Sequence, residues 1–429
     1  MTIKNHILVF LCLAICFSFC SENDNNNVID NNLNLLLENK SYFKLKEQLY
    51  KNEDKLSEDR ALYYKAFVTK VFGQTNQSNA YIDLLLSNYK NKFNDTILQK
   101  LLEFKATNCI YNHQYKAASE IYNTILKDYK TIIDSSAIAD YENAKNLFGT
   151  FSNIRPQLIQ HHNDVNISSY RNKFNHLMVP VKSNNINEEF VFDTGANLST
   201  ISESQAKKMN LLLFEQSIKV GSATTINVQS KLAVADSFYL GDILFKNVIF
   251  LVMPDSQLTF PEIRYKINGI IGFPVIHQLD EIQLHKDGSI TVPRTAKNKN
   301  LQNLALDDLT PVIKIITKND TLLFTFDTGA TTSELSLKYF NEHKKNIQAN
   351  TKIQTSQRGG AGGKTDVQEY MLNNFNFNMG SKQTTLAKIP VILEEYSFNK
   401  YFDGNLGQDV FTQFNTLIIN FKYMYVDVE

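Results

Sequence analysis

Two aspartates stand in matched surroundings. Asp193 opens the run Asp193-Thr194-Gly195-Ala196, and Asp327, in the second half of the chain, opens Asp327-Thr328-Gly329-Ala330. Each follows a short apolar run, Phe190-Val191-Phe192 in one case and Leu323-Phe324-Thr325-Phe326 in the other. Each is trailed by a serine (Ser199, Ser333), then an aliphatic residue (Ile201, Leu335), then a second serine (Ser202, Ser336). A lone Asp-Thr-Gly reads as a plain turn, because Asp and Gly both favour turns. A turn preference does not explain two copies in register. If the fold brings the two carboxyls together, they cannot both ionise, and one proton is shared. The ionised partner can then act as general base on a water. The protonated one can polarise a carbonyl and later hand a proton to a leaving amine. Gly195 and Gly329 permit a tight turn that aims backbone amides at a carboxylate. Ala196 and Ala330 are small enough to leave a cleft open.

Other hydrolytic chemistries find no support. The eight histidines are scattered, with His161-His162 the one adjacent pair, and no HExxH or GxSxG run occurs. No metal site and no cofactor are expected. The four cysteines are Cys12, Cys16, Cys20 and Cys109, which allow neither a disulfide framework nor a cysteine metal site in a mature chain.

The elements that must position the aspartates are strands. From about Phe174 to Glu429 apolar residues alternate or run in short blocks between Gly, Asn and Asp turns, as in His176–Lys182, Glu189–Phe192, Val248–Met253 and Ile290–Val292. The duplication extends beyond the aspartates. Gly269-Ile270-Ile271-Gly272 matches Gly404-Asn405-Leu406-Gly407, and Gly272 follows Asp193 at almost the spacing at which Gly407 follows Asp327. Leu240-Gly241 and Met379-Gly380 mark equivalent turns between them. Two lobes are therefore expected, 165–295 and 305–429, joined by a polar linker at 296–304. A hairpin should cover the cleft from each lobe, near Val220–Leu232 and Thr355–Glu369. Gly221 in the first, and Gly359, Gly360 and Gly362 in the second, would let the tips open and close on substrate. The same composition also suits an unstructured loop.

The DTGA repeats and the apolar-Gly elements Ile270-Ile271-Gly272 and Leu406-Gly407 resemble the retropepsin-like aspartic peptidases over residues 170–429. With both halves on one chain, the connectivity is similar to that of pepsin. The resemblance implies an all-β bilobal acid-protease domain, a peptide or protein substrate and a catalytic pair Asp193 and Asp327. It also implies that Thr194 and Thr328 hydrogen-bond across the pseudo-twofold axis.

The first third of the chain reads differently. Between about Leu33 and Phe151 apolar residues recur at three- and four-residue steps, and the first proline is Pro156. Gly73–Tyr89 and His113–Tyr129 resemble each other in register, with Leu86 matching Leu126 and Tyr89 matching Tyr129, and Asn39–Leu49 is a weaker copy. Ala117, Ala118 and Tyr122 resemble the small and aromatic positions of tetratricopeptide repeats. An α-helical domain at 33–155, either a repeat array or a simple bundle, is expected, with a protein partner on it as one role.

Before it, Ile7–Phe19 is an apolar run too short to span a membrane, ending at Cys20. It resembles a bacterial lipoprotein signal over 1–20, with Cys20 lipidated and residues 21–32 a polar tether. Export to the cell envelope with attachment through the lipid alone is the corresponding expectation. With a duplicated β domain behind a helical region, the chain resembles exported bacterial proteins of the Bacteroidetes type.

Length and composition fit several domains with sizeable cores: 429 residues, net charge zero, 43% hydrophobic and 11% aromatic. Without a Lys/Arg run, nucleic-acid binding is not expected. The leading function is therefore a peptidase. A β-domain that holds peptides without cutting them, or a scaffold whose helical repeats do the work, are the alternatives.

Overall fold

The computed structural model of the chain describes residues 27–221, 227–360, 363–394 and 400–429. Cys20 with the signal segment, residues 21–26 of the expected tether, and Gly362 lie outside the described residues, while 27–32, expected as tether, are helical. No helix among the described residues is long and apolar enough to cross a membrane.

An all-α region comes first: α1 (27–38), α2 (Tyr42–Asn52), α3 (Glu58–Val71), α4 (Thr75–Asn88), α5 (Asp95–Tyr111), α6 (Tyr115–Asp128) and α7 (Ser135–Thr150). Its hairpins turn in one way. After α1, α3 and α5 the chain passes through Lys40, Gly73 and His113, each with positive φ (51°, 75° and 57°). At each turn two amides fold back on the helix end. For Gly73 they are Gly73 N to Lys70 O at 3.1 Å and Gln74 N to Thr69 O at 2.8 Å, and the pattern recurs at Lys40/Ser41 and His113/Gln114. These left-handed caps satisfy carbonyls that a helix end leaves free. The two similar segments take similar local forms. α4 and α6 both have 14 residues, and each is followed by a 3-10 turn, Lys90–Lys92 and Lys130–Ile132.

The β region forms two lobes around a shared sheet. In the first lobe Ile186–Phe192 lies between Leu177–Ser183 and Gly269–Ile271. In the second, Thr321–Phe326 lies between Thr310–Ile316 and Gly404–Leu406. Each central strand is antiparallel to its hairpin partner and parallel to its glycine-containing strand, so the two lobes repeat one connectivity. Phe190, Phe192, Phe324 and Phe326 are fully buried and anchor the strands that lead into the two aspartates. A third, five-stranded sheet joins the lobes. Glu281–His285 from the first pairs with Thr416–Asn420 from the second, flanked by Ile290–Val292, Val165–Ile167 and Tyr425–Val428.

One long helix interrupts the all-β pattern expected beyond Phe174. Leu337–Asn350 spans 14 residues, capped by Ser336 Oγ accepting from Tyr339 N at 3.3 Å. Its buried Phe340 and Ile347 are two turns apart, a helical repeat that places both on one face.

The helical region docks on both lobes. Lys40 and Tyr42 reach Asp307 at 2.7 and 2.5 Å, and Lys70 reaches Asp308 at 2.7 Å, all at one turn of the second lobe. Tyr111 and His113 pack against Phe273 and His277 of the first lobe.

Candidate active site

The two Asp-Thr-Gly-Ala turns are tied down identically. Asp193 N donates to Ile271 O at 3.0 Å, and Asp327 N donates to Leu406 O at 3.0 Å. Gly272 N donates to Ser199 Oγ at 3.0 Å, and Gly407 N to Ser333 Oγ at 2.9 Å. Phe273 N and Gln408 N reach back to Ala196 O and Ala330 O at 2.8 and 2.9 Å. These bonds explain the trailing serines and the downstream glycines. A Cβ on Gly272 would stand 2.6 Å from the backbone carbon of Leu198, and one on Gly407 would stand 2.8 Å from Ala330 O. Any side chain there would push its turn away.

The turns meet across the lobe boundary. Thr194 N donates to Thr328 Oγ1 and Thr328 N donates to Thr194 Oγ1, both at 3.0 Å. Each hydroxyl in turn donates to the other lobe's strand, Thr194 Oγ1 to Phe326 O at 2.8 Å and Thr328 Oγ1 to Phe192 O at 2.9 Å. Both threonines are fully buried, so four bonds lock the lobes at this point.

The aspartates sit just above that lock, both partly exposed. Gly195 N donates to Asp193 Oδ1, and Gly329 N to Asp327 Oδ1, at 2.8 Å each. Ala330 N adds a bond to Asp327 Oδ1 at 3.0 Å. Each carboxyl also leans over the other lobe's glycine. A Cβ on Gly195 would stand 2.6 Å from the Asp327 carboxyl carbon, and one on Gly329 would overlap the Asp193 carboxyl. The two carboxyls thus stand on either side of the lobe boundary, each over the opposite turn. Burial, and after it the charge and hydrogen bond of Asp327, push Asp193 well above the usual carboxylate range, against the pull of the Gly195 and Ala196 amides.

Residues 179–275 match the family model described as aspartyl protease. The matched stretch holds Asp193, Gly221 and Gly272, all in the first lobe. No curated protein matches the chain.

Both expected hairpins fall in paired strands. Gly221 faces Asn227 at the end of Leu212–Gly221 and Asn227–Leu240, and Gly360 faces Gly363 at the end of Ile353–Gly360 and Gly363–Met379, with Gly359 beside it. Below the first hairpin, Met178, Val191, Met253 and Ile270 form an apolar cluster apart from the main core, with Ala196 and Val220 packed on it. Among the described residues no group of three or more His, Cys, Asp or Glu side chains is placed to hold a metal ion.

Sequence reasoning passed over the loop that precedes Leu177. Arg171 Nε and Nη2 both donate to Gln408 Oε1 at 3.3 Å, and Gln408 Nε2 donates to Thr328 O at 2.7 Å. The loop is thus fastened to the second lobe's Asp-Thr-Gly turn. No local pattern in the sequence marks these residues, because the contact spans 237 positions.

Proposed function

We propose that the chain is an aspartic endopeptidase that hydrolyses peptide bonds with a water activated by Asp193 and Asp327. The observation that carries this reading is the contact of the two carboxyls across a pseudo-twofold axis, held by the threonine exchange. A pair so close carries one proton between its members. The ionised carboxyl takes a proton from a water lying between them as that water attacks the scissile carbonyl. The protonated carboxyl donates to the carbonyl oxygen, and a proton then passes to the departing amine. The apolar cluster under the first hairpin supplies a wall for an apolar substrate side chain. The family match over the first lobe, and the same turn repeated in the second, support the assignment.

The test is cleavage of a fluorogenic peptide library by the full chain, with and without pepstatin. Asp193→Asn and Asp327→Asn should each reduce the rate at least about 1,000-fold, and the double variant should be hardly worse, because the pair acts as a unit. Wild-type activity should fall as rising pH strips the shared proton. Cleavage that survives either single substitution would place the chemistry elsewhere.

A further inference from the structure

The second lobe's Asp-Thr-Gly turn ends a hydrogen-bond chain that starts at a cation. Arg171 lies in a two-residue strand of the first lobe, paired with Leu177, and beside it Ser169 Oγ donates to Gly288 O at 2.7 Å. Its guanidinium donates through Nε and Nη2 to Gln408 Oε1 and through Nη1 to Lys286 O, each at 3.3 Å. Gln408 is fully buried, and its Nε2 donates to Thr328 O at 2.7 Å. The neighbours settle which way this amide points, because a guanidinium only donates and a backbone carbonyl only accepts.

Thr328 O belongs to the peptide unit whose N–H is that of Gly329, and Gly329 N donates to Asp327 Oδ1 at 2.8 Å. Cation, side-chain amide, peptide unit and carboxyl thus form one chain in which every link donates onward. Bonds in such a chain polarise one another. The last N–H is strengthened as a donor to Asp327, which favours the charged form of that carboxyl. In the first lobe the position that matches Gln408 is Phe273. Both residues follow the packed glycine, and both donate their backbone N–H to the alanine of the turn. The Phe273 ring has no N–H to give, and it stacks on His277 with centroids 5.1 Å apart. Gly195 N donates to Asp193 Oδ1 with no such donor behind it from that position. The upward push on Asp193 points the same way. Other titratable groups around the chain are Asp193 and His176 near Asp327, Asp287 near Arg171, and Asp409 beside Gln408, which accepts from Ser333 N and Oγ.

We propose that Arg171 is a positioning residue that, through Gln408, holds the charge of the pair on Asp327, so that Asp327 is the general base and Asp193 the acid. The proposal rests on the two aspartates being the peptidase pair. Asp327 then takes a proton from the water as the water oxygen bonds to the scissile carbon, and Asp193 gives its proton to the carbonyl oxygen. When the C–N bond breaks, Asp327 passes its proton to the departing nitrogen. Asp193 recovers one from a hydroxyl of the diol, which restores the starting pair.

Two variants of the full chain test it. Arg171→Met keeps the reach and removes the charge, and Arg171 is partly exposed, so no core cavity results. Arg171→Lys keeps a cation. Both Arg171 bonds to Gln408 end on one oxygen, so a single ammonium can replace them. Each variant is combined with Asp193→Asn and with Asp327→Asn, and the remaining carboxyl is titrated by carbon-13 NMR of aspartate-labelled protein, which needs no turnover. Arg171→Met should raise the Asp327 midpoint by about half to one pH unit, and move the Asp193 midpoint by less than about 0.2. With both aspartates present, the acid limb of kcat/KM should move up by a similar amount, and Arg171→Lys should restore it. A merely structural role would lower kcat/KM alike at every pH. Equal movement of both aspartates, movement of neither, or a shift that Arg171→Lys does not repair overturns the proposal. Failure of the underlying dyad reading looks different, since cleavage then survives Asp193→Asn or Asp327→Asn, and the base and acid roles fall with it.

Discussion

Asp193 sits where a negative charge is costly, beside Asp327 and above a fully buried pair of threonines. Its folded-state pKa is raised above that of the unfolded chain. The folded form then binds its proton more tightly, so the contribution to stability is fully present below the unfolded value near 3.8 and is lost as pH rises through the folded one. Asn is nearly isosteric and carries no charge. Asp193→Asn should therefore match the wild-type melting temperature at pH 3.5 and exceed it at pH 7.5. Thermal melts of both proteins at the two pH values decide this, and a variant less stable at both would show that the carboxyl is not under strain there. Thr194 and Thr328 were legible from the motif, and their burial explains why threonine suits the position. Its hydroxyl both donates to the opposite strand and accepts from the opposite turn.

At the scale of elements, the hairpin over the first lobe has a partner outside its own domain. Its strand Leu212–Gly221 is an edge strand, last in the order of its sheet. Edge strands leave backbone groups unpaired. Asn143 of α7 fills part of that edge, its Nδ2 donating to Lys219 O at 2.8 Å and its Oδ1 accepting from Lys219 N at 3.0 Å. Phe151 and Phe214 add an edge-on ring contact at 5.6 Å. The helical region thereby touches this hairpin at two places along the strand, at Phe214 and, two residues from the strand's end, at Lys219. Asn143→Ala should raise amide hydrogen exchange in 212–221 by roughly tenfold, the loss expected for about 1–2 kcal/mol of local hydrogen bonding. Exchange in the helices themselves should stay as it was. Unaltered exchange across 212–221 would mean that Asn143 does not restrain the hairpin.

For the whole molecule, docking of helices on lobes depends on two neutral histidines. His113 and His277 stack at 5.6 Å within a cluster that includes Tyr111 and Phe273. Burial lowers His113 to about 3, with His277 adding to the effect, and lowers His277 to about 4. Both lie below the ordinary histidine value, so the stability they allow is full above pH 6.5 and drains away as pH falls toward 4 and then 3. Each proton forced into the interface costs on the order of 3 to 5 kcal/mol. Melting temperature should drop between pH 7 and pH 4.5, and limited proteolysis should begin between the helical region and the lobes. His113→Asn keeps a residue that tolerates the positive φ of that turn and removes one titrating group. It should flatten the acid loss. An equally steep loss in that variant would move the acid-sensitive site away from this interface.

The duplicated unit was legible in the sequence because its requirements are local. An apolar strand, a tight Asp-Thr-Gly turn and a glycine against which the turn packs each leave a mark within a few residues, and two copies in register expose them. The helical region was legible for the same reason, since period and turn recur from one helix pair to the next. Three features had no such mark. The five-stranded sheet that joins the lobes pairs Ile282 with Ile419, and neither strand differs in pattern from its neighbours. The helix Leu337–Asn350 carries its apolar period at few positions, with only Phe340 and Ile347 buried. The link from Arg171 through Gln408 to the Thr328 carbonyl exists only because the fold brings distant parts of the chain together. Motif and period specify what a segment can be. Which residue reaches across the lobe boundary, and what it holds there, is decided by neighbours that only the closed fold supplies.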